Sequence, residues 1–175
     1  DADLKLADSE KRLAEADKVY PDDAETFARR DKLAELRTAV KRGRFDTVLK
    51  LADAVLLAKA ADLAADEKNA AEADKLIQQA AALFSTDKAL DPRRVALKKK
   101  RDDIAAEKTK REKFDRHVAD ADKILKAQQT VLADLQKAVQ DAQKAIKDAE
   151  ELYPNEAALK PLRTRLADKQ AEATR

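Results

Sequence analysis

Residues 45–84 read FDTVLKLADAVLLAKAADLAADEKNAAEADKLIQQAAALF, and residues 114–153 read FDRHVADADKILKAQQTVLADLQKAVQDAQKAIKDAEELY. Laid over one another so that Phe45 falls on Phe114, a 69-residue step, both stretches open on Phe-Asp and close on an aromatic, Phe84 or Tyr153. The match runs on to Pro92 and Pro161, and 20 of the 62 positions from Phe45 to Ala106 are identical to their partners. Alanine abundance raises that number, but the Phe-Asp pairs and the prolines are not alanine. Residues 1–20 form a further partial copy at a step of 64, where Leu13, Ala16 and Tyr20 fall on Ile77, Ala80 and Phe84. A tandem repeat is one structural unit copied, each copy burying its apolar face on its neighbours. The reading is a single helical repeat domain over 1–175: a partial copy 1–44, a copy 45–113 and a partial copy 114–175.

Within each stretch a mostly apolar seam keeps a strict 4-3 spacing: Phe45, Leu49, Ala52, Leu56, Lys59, Leu63, Asp66, Ala70, Ala73, Ile77, Ala80 and Phe84; then Phe114, Val118, Ala121, Leu125, Gln128, Leu132, Leu135, Val139, Ala142, Ile146, Ala149 and Tyr153. Such heptads predict coiled-coil-like packing. They also predict an unbroken helix over each stretch, roughly 60 Å long at the α-helical rise. Leu51, Val55 and Leu57 add a second apolar face, which predicts contact with more than one helix. Leu56 and Leu125 occupy equivalent seam positions and are expected to be buried, whereas Leu57 lies off the seam.

Three segments break the pattern: Tyr20-Pro21-Asp22-Asp23, the run from Phe84 to Pro92, and the run from Tyr153 to Pro161. Asp91 before Pro92 is a good helix start, a capping carboxylate followed by a residue whose missing N–H costs nothing in the first turn. Asp22 and Asp23 put negative charge where a helix dipole favours it. The fold predicted is all-α: an elongated antiparallel helical bundle or coiled coil, with hairpin turns near 20–22, 85–92 and 154–161. Gly43 stands in Lys41-Arg42-Gly43-Arg44-Phe45-Asp46, where a kink is favoured over a full turn with Asp46 capping the next helix.

Composition agrees. Charged residues make up 41% of the chain and hydrophobic ones 44%, and 38 residues are alanine. With one Gly and six aromatics, the chain predicts thin Ala-rich seams between close helices rather than a broad core. The absence of cysteine excludes disulfides and thiolate metal sites. No apolar run approaches the ~18 residues of a membrane span. Charge is nearly balanced at +2 but segregated. Residues 1–25 hold nine acids and four bases, residues 29–44 seven bases and two acids, and residues 93–116 eleven bases and five acids. Antiparallel folding at each turn would set opposite signs side by side, with Asp62, Asp66, Glu67, Glu72 and Asp74 facing the last basic stretch.

Chemistry-bearing residues are sparse. His117 is the single histidine and aligns with Val48, which reads as a helix-surface or seam-edge position. Ser9 and Ser85 have no base nearby in sequence, and one glycine cannot build a phosphate-cradling loop. No catalytic, cofactor-binding or metal-ligating residues are assigned, and the chain is not expected to be an enzyme. The one sharp candidate is a polyanion-binding stretch of Arg93, Arg94, Lys98, Lys99, Lys100, Arg101, Lys108, Lys110, Arg111 and Lys113. It could follow a phosphate backbone or an anionic membrane surface. Against it, the bases wrap around the helix, no aromatics interleave, and acids across the turn can neutralise them. The six aromatics read as anchors that plug bundle ends.

These alanine-, lysine- and aspartate-rich repeated helices resemble the rod-like helical segments of bacterial cell-envelope proteins, such as TolA-type stalks and surface-protein spacer repeats. The resemblance implies a spacer or scaffold role, with protein partners, in the periplasm or on the cell surface. Spectrin also runs helices continuously between repeats, but its repeats are longer and carry a tryptophan that this chain lacks. The short piece 41–46 is similar to the turn of a tetratricopeptide helix pair. The function expected is a non-enzymatic structural spacer or protein-interaction rod; the alternative is an electrostatic binder of nucleic acid or anionic membrane through 93–116, with nucleic acid the less favoured.

Overall fold

The computed structural model describes residues 2–21, 23–128 and 131–174. Among these residues the chain forms six helices and no strand: α1 (Ala2–Val19), α2 (Ala24–Leu57), α3 (Leu63–Leu83), α4 (Leu90–Lys126), α5 (Leu132–Leu152) and α6 (Leu159–Ala173). The protein is all-α, as its composition dictates. Asp22, expected in the first hairpin turn, lies outside the described residues. The chain divides into two compact units, Asp1–Arg101 and Asp102–Arg175. The first contains α1, α2, α3 and the opening turns of α4; the second contains the remainder of α4, α5 and α6.

The expected unbroken helices over 45–84 and 114–153 do not form. α2 stops at Leu57 and α3 begins at Leu63; α4 stops at Lys126 and α5 begins at Leu132. The 4-3 register carries on through both gaps, with polar Lys59 and Gln128 at the seam positions inside them, because it records one face of the chain, not whether the backbone continues. Asp62 closes the first gap: its carboxylate accepts the Ala65 N–H at 2.8 Å, satisfying one of the helix's open donors. The return lets α3 lie against α2. It buries Ala52, Ala73 and Ala80 completely, and the second unit buries Ala121, Ala142 and Ala149 in the same way. A single straight helix cannot bury one half of its seam on the other half, and most helical stability comes from such packing.

Each unit is closed by an aromatic pair. Phe45 meets Phe84 edge-on at 5.3 Å between ring centres, and Phe114 meets Tyr153 at 5.2 Å in the same geometry. In the second unit Ala121, Leu125, Ala142, Ala145, Ile146 and Leu162 make one apolar cluster, and Phe114, Ala149 and Leu159 make another. Leu90 and Leu159, the first residues of α4 and α6, are both fully buried.

Several local expectations change. α2 is unbroken through Gly43, which excludes a tetratricopeptide-type turn there; Asp46 caps nothing and instead pairs with Arg42 at 3.3 Å one turn away. α4 opens at Leu90, so Asp91 lies inside its first turn rather than before it, and Asp87 closes the preceding turn by accepting the Ala89 N–H at 2.9 Å. The second apolar face of α2 is used only in part: Val55 is half-buried, while Leu51 and Leu57 are exposed, the latter at 82%. Leu56 is half-buried and Leu125 buried. Tyr20 and Phe27, expected as anchors, are exposed, since only α1 and α2 meet at that end. These two helices run antiparallel. Asp17, Glu10 and Asp3 of α1 pair with Arg30, Arg37 and Arg44 of α2, one partner in every seventh position.

Candidate functional site

All ten bases of the expected polyanion-binding stretch lie on α4. In the first unit, Arg93 grips Asp53 of α2 with two bonds, Nε–Oδ1 at 2.9 Å and Nη2–Oδ2 at 2.6 Å, and donates to the Ala89 carbonyl at 2.7 Å. Lys100 donates to Asp66 at 2.7 Å and Arg101 to Asp74 at 2.8 Å, both acids on α3. Arg94 stands 3.9 Å from Asp91. Lys98 and Lys99 are exposed. In the second unit, Arg111 donates to Glu156 at 3.2 Å, and the Lys110 ammonium lies 4.3 Å from the Tyr153 ring centre. Lys108 and Lys113 are exposed. The acids Asp66 and Asp74, expected to neutralise this stretch from across the turn, take up Lys100 and Arg101. Counter-ion release grows with the number of bases free to neutralise phosphates, and here Arg93, Lys100, Arg101 and Arg111 already hold carboxylates.

A more organised cluster escaped the sequence reading. Arg42 lies over the Phe45 ring at 4.7 Å and the Phe84 ring at 5.6 Å, and it hydrogen-bonds Asp87. Arg111 lies over Phe114 at 5.0 Å and Tyr153 at 5.5 Å, and it bonds Glu156. The lysine before each arginine, Lys41 or Lys110, covers the outer ring at 4.9 or 4.3 Å. The signal was present: Lys41-Arg42 and Lys110-Arg111 are identical at the 69-residue step, just before the aligned stretch begins. The hydrogen bond to Asp87 raises the Arg42 pKa. The Ala89 N–H, then Arg42, hold Asp87 below the ordinary carboxylate range. Glu156 raises Arg111 through its hydrogen bond. Burial, reinforced by a hydrogen bond from the Tyr153 hydroxyl to Glu107, pushes Tyr153 up to about 12.

His117 is half-buried and lines a groove between α4 and α5 with Asp120, Asp134, Asp141 and Asp148. Among the described residues no group of three or more His, Cys, Asp or Glu side chains is placed to hold a metal ion. Ser9 donates to its own helix at the Lys5 carbonyl, 2.8 Å away, and Ser85 is exposed in the turn before α4. No described helix is long and apolar enough to cross a membrane.

No family model, no curated protein and no solved structure matches this chain.

Proposed function

We propose that the chain is a non-enzymatic structural spacer or protein-interaction rod, assembled from tandem 69-residue helical units. The observation that carries this reading is the doubled clamp. An arginine held over an edge-on aromatic pair and tied to an acid recurs with every member displaced by the same 69 positions. The four members of this clamp close a packed unit, and each keeps its chemical type at the 69-residue step. The resemblance to cell-envelope stalk segments supports a scaffold role at the bacterial periplasm or surface.

Solution scattering tests the rod. A compact chain of this length has a radius of gyration of about 16 Å, and a rod is expected to exceed that clearly; a value at the compact figure would overturn it. Retention on heparin tests the polyanion alternative. A spacer elutes at low salt, and Lys98→Ala with Lys99→Ala leaves elution unchanged. Strong retention lost in that double variant would favour the electrostatic binder instead.

A further inference from the structure

The gap between α2 and α3 is unlike the other turns of the first unit. The turn after α1 contains Pro21, and the turn after α3 runs Ser85-Thr86-Asp87, so neither sequence continues a helix readily. The gap reads Ala58-Lys59-Ala60-Ala61-Asp62: four good helix formers and one capping acid. Its backbone is nevertheless extended where it leaves α2, at Ala58 (φ −61°, ψ 129°), and where it enters α3, at Asp62 (φ −153°, ψ 177°). Little holds it there. Four of the five residues are exposed and Ala60 is half-buried. The Ala58 N–H reaches the Val55 carbonyl at 3.3 Å, and Asp62 caps α3.

The 4-3 register is kept across this gap. A loop between two antiparallel helices has no need to keep it, since extended residues can turn the chain to any face. Yet Leu56 before the gap and Leu63 after it stand seven residues apart with Lys59 between them, and the register runs from Phe45 to Phe84 without a shift. If the five gap residues become helical, α2 and α3 merge into one helix, Ala24–Leu83, with a single stripe along its 45–84 part.

In the closed unit the 45–57 end of α2 packs on α3, and Phe45 meets Phe84 edge-on. Opening the gap separates the buried Phe45, Leu49 and Ala52 from the buried Ala73, Ile77 and Ala80. The closed unit itself shows what covers each set, namely the other, and a second opened copy presents both. Two opened copies laid antiparallel regain the α2–α3 packing twice. With Phe45 of one copy against Phe84 of the other, Lys59 falls opposite Ala70 and Leu63 opposite Asp66. Lys59 of each copy then stands one helical turn from Asp66 of the other. The two polar members of the stripe, opposite in sign, therefore meet across the two-fold axis. Lys100 bonds Oδ1 of Asp66 and travels with it, because the α3–α4 turn stays closed. The second unit has Gln128 and Leu135 at these positions, so the charge pair belongs to the first unit alone.

We propose that residues 58–62 are a hinge through which the first unit self-associates by exchange. α2 and α3 of each copy join into one helix. α3, with the opening of α4 held on it by the Lys100–Asp66 and Arg101–Asp74 bonds, then packs on α2 of a second copy. Exchange of this kind reuses the contacts of the closed unit. The balance between the two forms is set by chain concentration and by the free energy of turning five gap residues into helix.

Sedimentation of the full chain, refolded at a series of concentrations, is the first test. Dimer is expected to increase with the concentration at refolding and to persist on dilution, because reverting requires the unit to open. Ala60→Gly with Ala61→Gly, which disfavours helix in the gap, is expected to weaken dimer formation more than about tenfold. Asp62→Ala removes a cap that only the closed form uses, and is expected to strengthen it by a similar factor. Lys59→Asp, at an exposed residue of the closed unit, sets like charges at the crossing and is expected to weaken it. Cross-linking reads the exchange itself. The chain has no cysteine, so chains with Asp53→Cys are refolded together with chains with Arg93→Cys and treated with a short bis-maleimide. Asp53 and Arg93 are bonded at 2.6 Å between α2 and α4, so a covalent heterodimer is expected, its yield following the hinge variants. A chain that stays monomeric at every concentration, with and without Asp62→Ala, overturns the proposal. So does a dimer indifferent to both hinge variants, or one in which the two cysteines link only within a chain that carries both.

Discussion

Arg42 and Arg111 each combine three interactions that are weak singly: a stem over apolar surface, a cation over two ring faces, and a charged hydrogen bond to an acid beyond the turn. Tyr153 differs from its counterpart Phe84 in one atom, and that hydroxyl finds Glu107. Its ionisation is therefore opposed both by burial and by a neighbouring carboxylate. With a folded pKa of about 12 against roughly 10 unfolded, the stabilisation is complete below pH ~10 and is lost as pH rises from there toward 12. In Tyr20→Phe, which leaves Tyr153 as the only tyrosine, phenolate absorbance is expected to rise near pH 12; a midpoint at the ordinary tyrosine value would remove the burial and the Glu107 bond together. Gly43 offers a second test at this scale. A β-carbon there would meet nothing within 4 Å, so Gly43→Ala should stabilise the protein by about 0.8–1 kcal/mol, as for any exposed helix interior. Urea unfolding measures it, and a loss of stability would mean that the helix does not run straight on at this residue.

At the level of the helix, the 4-3 seams made the buried face legible and concealed the breaks. Lys59 and Gln128 are polar seam members that fall in the gaps after α2 and α4. They were the available hint, but Ala58, Lys59, Ala60 and Ala61 have good helix propensity, and the break there is set by packing between helices rather than by local preference. Of the alanine matches, which composition alone made ambiguous, three mark the packed seam: Ala52, Ala73 and Ala80, with their partners Ala121, Ala142 and Ala149, are all fully buried, whereas Ala58 with Ala127 and Ala64 with Ala133 are exposed. Overpacking such a site costs about 1–3 kcal/mol, so Ala142→Leu should destabilise by that much while Ala133→Leu, on an exposed position of the same helix, should stay within about 0.5 kcal/mol. The leucines divide similarly. Leu125→Ala should cost about 2–4 kcal/mol, half-buried Leu56→Ala roughly half that, and Leu57→Ala less than about 0.5 kcal/mol. A Leu57 cost above that of Leu125 would rotate the assigned faces by one residue. The basic stretch was legible as charge but not as a site, because the acids that take up Arg93, Lys100, Arg101 and Arg111 lie 27 to 45 residues away, and only the hairpins bring them in.

Across the whole molecule, the repeat is a claim about energy as well as about geometry. Units copied in tandem contribute intrinsic stabilities that are similar wherever the buried residues are the same, and contacts within one unit do not depend on the side chains of the other. Leu90 and Leu159 offer the cleanest comparison: each is the first residue of its helix, each is fully buried, and they occupy equivalent places in separate units. Their neighbouring rings differ by a hydroxyl, since Leu159 packs with Phe114 and Ala149 beside Tyr153, while the ring at the counterpart position in the first unit is Phe84. A hydroxyl at the ring's far edge does not change the cavity that a lost isobutyl group leaves. Leu90→Ala and Leu159→Ala should therefore each cost about 2–5 kcal/mol, match one another more closely than either matches Leu56→Ala, and add in the double variant to within about 0.5 kcal/mol. Unfolding of the three variants by urea, read from helical dichroism, gives the comparison directly. Strongly unequal costs would mean that the 69-residue identity is a matter of composition and that the two units are held together by different cores.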